Sequence, residues 1–164
     1  ARALGVVSIA NYNCPGQLVI GGEAEAVTKA SELALEKGAR RAIPLNTSGP
    51  FHTELLAPAS NELKEKFVSV NFNEMQVPVI FNSSAKELES GVSIAQMLEK
   101  QVMSSVYFED SIRYMLENGV DTIIEIGPGK VLSGFIRKID KTIKTYQVED
   151  QASLEKTLAG LKGE

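Results

Sequence analysis

One histidine, His52, occurs in the 164 residues of this chain, inside the run Asn46-Thr47-Ser48-Gly49-Pro50-Phe51-His52-Thr53. An imidazole with an ordinary pKa of about 6.5 can take up and release a proton near neutral pH, which fits it for general acid–base work. Identity alone is a weak signal, since lone histidines also occur on surfaces and in cores. The setting adds to it. Gly49 and Pro50 are turn formers, so the ring is expected to hang from a bend between an extended segment, 41–45, and a helical one beginning at residue 54.

The other reactive types are sparse. Cys14, the one cysteine, lies in Asn11-Tyr12-Asn13-Cys14-Pro15-Gly16-Gln17 with no basic neighbour in sequence. It reads as a small turn residue rather than a nucleophile. A single cysteine also excludes an internal disulfide and any multi-cysteine metal site, and fits a reducing, cytoplasmic compartment. The amides of Asn11 and Asn13 could bind a carbonyl or carboxylate, although Asn is a common turn residue in its own right. Gly-x-Ser-x-Gly occurs nowhere, so the serine elbow of a serine-dependent α/β acyl enzyme is absent from this sequence. Ser48, Ser83 and Ser133 lack that context. Gly127-Pro128-Gly129-Lys130 joins an expected strand to an expected helix. Such a junction can present free N–H groups to an anion. It matches neither a Walker loop nor a dinucleotide fingerprint, and a tight structural turn is the simpler reading.

These residues need elements to place them. Residues 6–10 and 17–20 read as a hairpin of two strands around a turn at 11–16. Residues 23–37 have helical spacing, with Gly38 as a stop, and 41–45 read as a third strand. This is most of a small α+β unit whose first strand and helix are missing. A helix is expected over 54–67, kinked or restarted at Pro58, and a buried strand over 77–82. Helices follow at 92–103 and 107–118, a strand at 122–126, a helix at 130–139, a strand at 144–148 and a helix at 153–161. Strands alternating with helices from residue 52 onward predict an α/β layer with a mainly parallel sheet.

Composition narrows the function classes. Apolar residues make up 43% and charged residues 23%, as in globular proteins, and the length fits one domain or one and a half. A net charge of −4 and a pI near 5.2 give a nucleic-acid partner no electrostatic support. No apolar run approaches the ~20 residues needed to span a bilayer. The opening Ala1-Arg2-Ala3-Leu4 lacks an initiator Met, and the chain is expected to be a piece of something longer.

Three motifs in fixed order carry a resemblance: Asn11-Tyr12-Asn13-Cys14-Pro15-Gly16-Gln17-Leu18-Val19-Ile20, Ser48-Gly49-Pro50-Phe51-His52, and Glu125-Ile126-Gly127-Pro128-Gly129-Lys130-Val131-Leu132. Together they resemble the C-terminal half of the malonyl-CoA:acyl carrier protein transacylases of bacterial fatty-acid synthesis. The resemblance implies an α/β fold: the C-terminal part of an α/β-hydrolase-like acyltransferase with part of an inserted ferredoxin-like small subdomain. Residues 1–46 would belong to the small subdomain and 47–164 to the end of the large one. It implies malonyl transfer from malonyl-CoA to the phosphopantetheine thiol of acyl carrier protein through a malonyl-serine. No cofactor is expected, coenzyme A thioester being a substrate. His52 matches the family's catalytic histidine, which a backbone carbonyl orients, and aligning Val106-Tyr107-Phe108 with that region gives the role to the Tyr107 carbonyl. Phe51 matches the position that favours malonyl over methylmalonyl by bulk, and Asn13 an asparagine near the acyl pocket. The serine, the carboxylate-binding arginine and an oxyanion donor would lie in a missing N-terminal half, so this chain alone is expected to be inactive. Arg137 and Lys138 could help dock an acidic carrier protein, though solvated helix charges are the simpler reading. The alternative is a non-catalytic α/β module that docks a carrier protein or another subunit.

Overall fold

The computed structural model describes residues 1–163. After a single 3-10 turn, Arg2–Leu4, the chain forms β1 (Val7–Cys14) and β2 (Gln17–Gly22), an antiparallel hairpin, and then α1 (Ala24–Glu36). The turn is shorter than expected. Asn11, Tyr12 and Asn13 continue β1, and only Pro15-Gly16 lie between the strands, with Gly16 in the left-handed region at φ 75°. The register slips at Ala10 and at Asn13, where β1 carries one residue more than β2. Such bulges bend a strand and re-aim the side chains on it.

The segment 41–45 is not a strand, contrary to the sequence expectation: it pairs with no described residue, and Ile43 and Leu45 are exposed. β-branched content gives a preference for extended backbone but no ladder, and Pro44 removes a donor. The expected strand at 77–82 reduces to one bridge, Phe81 with Lys86, for the same reasons around Pro78. Between these segments lie a 3-10 turn, Glu54–Leu56, and α2 (Ala57–Phe67). Pro58 sits in the first turn of α2, where its missing N–H costs nothing, so the helix restarts there instead of kinking.

α3 (Ile94–Met103) opens on a capping box, with Ser93 Oγ accepting from Gln96 N–H at 3.2 Å and Gln96 Oε1 accepting from Ser93 N–H at 2.8 Å. It leads into β3 (Val106–Tyr107), α4 (Phe108–Glu117), β4 (Thr122–Ile126), α5 (Val131–Ile139), β5 (Lys144–Val148) and α6 (Gln151–Lys162). α4 places Glu109 and Asp110 in its first turn, favourably against the helix dipole. The expected parallel layer takes the form of two small sheets. β3 lies parallel to β1, giving the order β2-β1-β3, and β4 pairs parallel with β5. One sheet therefore draws strands from both sides of residue 46.

The core is the cluster Ile112, Ile136 and Ile143, flanked by Phe108, Met115, Leu116, Ile123 and Ile139. α5 also packs on β1, so this core underlies the hairpin. The accessible surface is 11319 Å², whereas a compact monomer of 17.7 kDa exposes about 8,000 Å². Much of the excess is apolar. Val68, Val77, Ile126 (82% exposed) and Val131 all face outward.

Candidate active site

His52 sits in the bend between the irregular stretch before residue 48 and the 3-10 turn at Glu54–Leu56. Its backbone is left-handed, φ 61°, a conformation that costs a non-glycine residue on the order of 1 kcal/mol or more and persists only where surroundings enforce it. The enforcement comes from Thr53. That side chain is 1% exposed, and its hydroxyl donates to the Pro50 carbonyl at 2.7 Å, closing the loop over Phe51 and His52.

The ring reaches across to α3. Nδ1 lies 3.2 Å from the Gln101 carbonyl, 49 residues further on. A carbonyl only accepts, so in neutral His52 the proton belongs on Nδ1 and Nε2 keeps its lone pair. Gln101 belongs to the last turn of α3, where partial negative charge collects, and its carbonyl also accepts from the Ser104 N–H at 3.4 Å. α3 is itself fixed, by its capping box and by Ser60 of α2, whose hydroxyl donates to the Glu99 carbonyl at 2.8 Å. The orienting group is thus a backbone oxygen; among the described residues no carboxylate forms an ion pair with His52.

Tyr107 does not have the role expected for its carbonyl. That oxygen accepts from Ser111 Oγ at 2.7 Å at the start of α4, while the Tyr107 N–H is bound to the Asn82 carbonyl at 2.9 Å. The reason is local: Tyr107 is the residue from which α4 begins, so its carbonyl turns into the helix. The Tyr107 ring stacks on Tyr12, centroids 5.1 Å apart, and the residue still helps to line the same open cleft as His52. That cleft measures ≈ 700 Å³ and also has Ser8, Glu54, Ser83 and Lys100 on its walls. Phe51 stands next to His52 and is 52% exposed. Asn13 occupies the second bulge of β1. Neither Phe51 nor Asn13 lines the cleft. Ser83 Oγ is buried and has no hydrogen-bond partner among the described residues.

The Gly127-Pro128-Gly129 junction serves the fold. Three N–H groups at this junction donate to the chain's own carboxylates: Leu132 and Ser133 to Glu125 at 3.1 and 2.8 Å, with Ser133 Oγ adding 2.6 Å, and Gly129 to Glu149 at 2.9 Å. Burial pushes the Glu125 carboxyl up, but the hydrogen bonds from the Ser133 hydroxyl, Ser133 N–H and Leu132 N–H outweigh it and hold the group below the usual carboxylate range. A folded value below the unfolded one means stability that is fully present above the unfolded value and is lost as pH falls through the folded one. Glu125→Gln is expected to cost about 1 kcal/mol at pH 7, the scale of a lost helix cap. Urea midpoints of the two proteins should converge as the pH is lowered toward 3.

Cys14 is buried, and that burial pushes its thiol up, against the pull of Lys138. This keeps it a thiol and fits its reading as a non-nucleophile. Both docking candidates have intramolecular partners: Lys138 Nζ donates to Gln17 Oε1 at 3.1 Å and Arg137 Nε to Thr145 Oγ1 at 3.3 Å. No group of three or more His, Cys, Asp and Glu among the described residues could hold a metal ion, and none of their helices is long and apolar enough to cross a membrane.

No family model matches the chain. Curated relatives and solved structures do. The malonyl CoA-acyl carrier protein transacylase of Bacillus subtilis is 48% identical over 159 residues, which cover 97% of this chain and 50% of that protein. The crystal structure of the transacylase of that name from Clostridium perfringens superposes with a TM-score of 0.95 at 44% identity, over 99% of this chain and 51% of that one. The chain is homologous to the C-terminal half of the malonyl CoA-acyl carrier protein transacylases. It spans about half the length of the curated relatives it matches. A further malonyl-transacylase, solved in complex with a type II PKS acyl-carrier protein, matches with a TM-score of 0.90 at 36% identity, over 98% of this chain and 51% of that one. Over the half that it matches, the chain shares the α/β-hydrolase-like fold of these transacylases.

The sequence singles out His52 but not Gln101, whose carbonyl lies against the ring, nor Thr53, which closes the turn. Gln101 contributes only backbone, so its residue type carries no signal. Thr53 stands in the motif itself, but its neighbour across the fold, Gly21, leaves no local signal in the sequence.

Proposed function

We propose that this chain supplies the histidine half of an acyltransferase that moves malonyl from malonyl-CoA to the phosphopantetheine thiol of acyl carrier protein. The observation that carries this is the His52 Nδ1 placed 3.2 Å from the Gln101 carbonyl, a pairing that calls for the neutral ring's proton on Nδ1 and so leaves Nε2 to act as base, in a chain homologous to half of such enzymes. A serine hydroxyl on the other half attacks the thioester carbon as Nε2 takes its proton. The carbon–sulfur bond breaks, and the proton passes to the departing coenzyme A thiolate. In the return half, Nε2 takes the proton of the carrier thiol, the thiolate attacks the malonyl-serine ester, and the serine oxygen recovers the proton. The chemistry runs on thioester substrates with no bound cofactor, in the cytoplasm.

Phe51, beside the histidine, is assigned to favour malonyl over methylmalonyl, and Asn13, re-aimed by its bulge, to the acyl pocket. Residues 1–46 are assigned to a ferredoxin-like small subdomain and 47–164 to the large one. The outward-facing apolar residues are the surface that the other half would cover.

The test mixes this chain with the N-terminal half of the Bacillus subtilis relative and follows transfer to holo carrier protein. Transfer is expected from the mixture and from neither half alone, with malonyl-CoA ahead of methylmalonyl- and acetyl-CoA. A complex that forms and transfers nothing, or prefers the branched substrate, would contradict the proposal.

A further inference from the structure

Gly21, near the end of β2, pairs with Ser8 in an ordinary extended ladder. Its backbone is outside the left-handed region, so conformation does not require glycine there. A neighbour does. A methyl on its Cα would lie 3.0 Å from Thr53 Cγ2, with Ala10 Cβ and the Phe51 carbonyl oxygen each at 3.6 Å. Phe51 and Thr53 are the two residues flanking His52, so the left-handed histidine turn rests on the bare Cα of Gly21.

Thr53 has little room to yield. It is 1% exposed, its hydroxyl is engaged by Pro50, and β-branching leaves it few rotamers. A side chain at position 21 would displace the turn by a few tenths of an ångström. Gln101 is carried by a different helix, fixed through Ser60 and the capping box, so it would not follow. The Nδ1–oxygen distance is already 3.2 Å, at the long end of the usual range for an N–H···O bond. A small further displacement would take it out of that range.

We propose that Gly21 is a positioning residue for His52, acting through Thr53 to keep Nδ1 on the Gln101 carbonyl. The consequence for catalysis rests on the acyl-transfer reading above; the contact itself does not.

The test compares Gly21→Ala, Thr53→Ser and the double variant. Serine keeps the hydroxyl for Pro50 and drops the methyl that position 21 would strike. Because His52 is the sole histidine, its ring nitrogens give one set of 15N signals in the chain. Gly21→Ala is expected to shift them from the Nδ1–H form toward a mixture of tautomers, and adding Thr53→Ser to return them. In the enzyme assembled with the complementary half, Gly21→Ala should lower kcat about tenfold with KM little changed, since displacements of ~1 Å cost ~10²-fold. The loss should vanish in the Thr53→Ser background. No tautomer shift in Gly21→Ala, or one that Thr53→Ser fails to reverse, overturns the proposal. If Gly21→Ala does not fold, the double variant decides: folded with the wild-type imidazole signals supports it, unfolded overturns it. If the assembled wild type transfers no malonyl, the functional reading fails while the tautomer result still settles the role of Gly21.

Discussion

His52→Ala, in the enzyme assembled from this chain and the complementary half of a relative, is expected to lower malonyl transfer about 10²–10⁴-fold, the usual scale of lost general acid–base help. On the proposed mechanism, removing the ring leaves the serine in the first half of the reaction, and the carrier thiol in the second, to lose its proton to water. It should leave malonyl-CoA binding nearly intact, because the imidazole handles the serine and thiol protons rather than the malonyl group. The loss therefore belongs in kcat, with KM changed little. Alanine at a φ of 61° adds backbone strain of its own, so His52→Asn, which tolerates the left-handed region better, is the companion variant. Loss of the same order in both assigns the effect to the missing base. Full rate in either would remove His52 from the mechanism.

The second large effect is structural. Ile136 is buried at the centre of the one described core cluster, against Ile112 and Ile143. Ile136→Ala removes three carbons from a site enclosed by α4, β4 and the start of β5, and should cost about 2–5 kcal/mol, the range for large-to-small core substitutions. With a surface well above that of a compact monomer of its size, the chain has little stability in reserve. The urea midpoint should fall by about 1 M or more, given slopes of ~1–3 kcal/mol per M for small proteins. Because α5 also packs on β1, part of the hairpin that carries Gly21 should loosen with it. A midpoint within ~0.3 M of wild type would mean that the cluster is not the packed centre described here.

How much of this was legible beforehand depends on where each feature gets its stability. β4 and β5 coincide with the segments predicted at 122–126 and 144–148, because short β-branched runs bounded by turns declare themselves locally. The helices were legible from their apolar periodicity, to within a few residues at their ends. Segments 41–45 and 77–82 look as strand-like as β4 does, yet beyond the single Phe81–Lys86 bridge they form no ladder, because a strand is completed by a partner and no other described residue supplies one. The site divides along the same line. His52 stood out by uniqueness and by its turn. Its orienting oxygen did not, since a backbone carbonyl leaves no trace in residue type, and the carbonyl chosen at Tyr107 proved to be committed to Ser111. Glu125 was read as part of a motif and turned out to cap the helix that follows it. That required knowing that β4 and α5 meet at an angle that brings residues 125 and 133 together.

The central claim is that the Gln101 carbonyl fixes the proton of His52 on Nδ1 and leaves Nε2 as the base. A two-dimensional 15N–1H spectrum of the neutral imidazole reads this directly from a chain with one histidine. The account predicts a pyrrole-type Nδ1 and a pyridine-type Nε2; the reverse pattern, with the proton on Nε2, would contradict it.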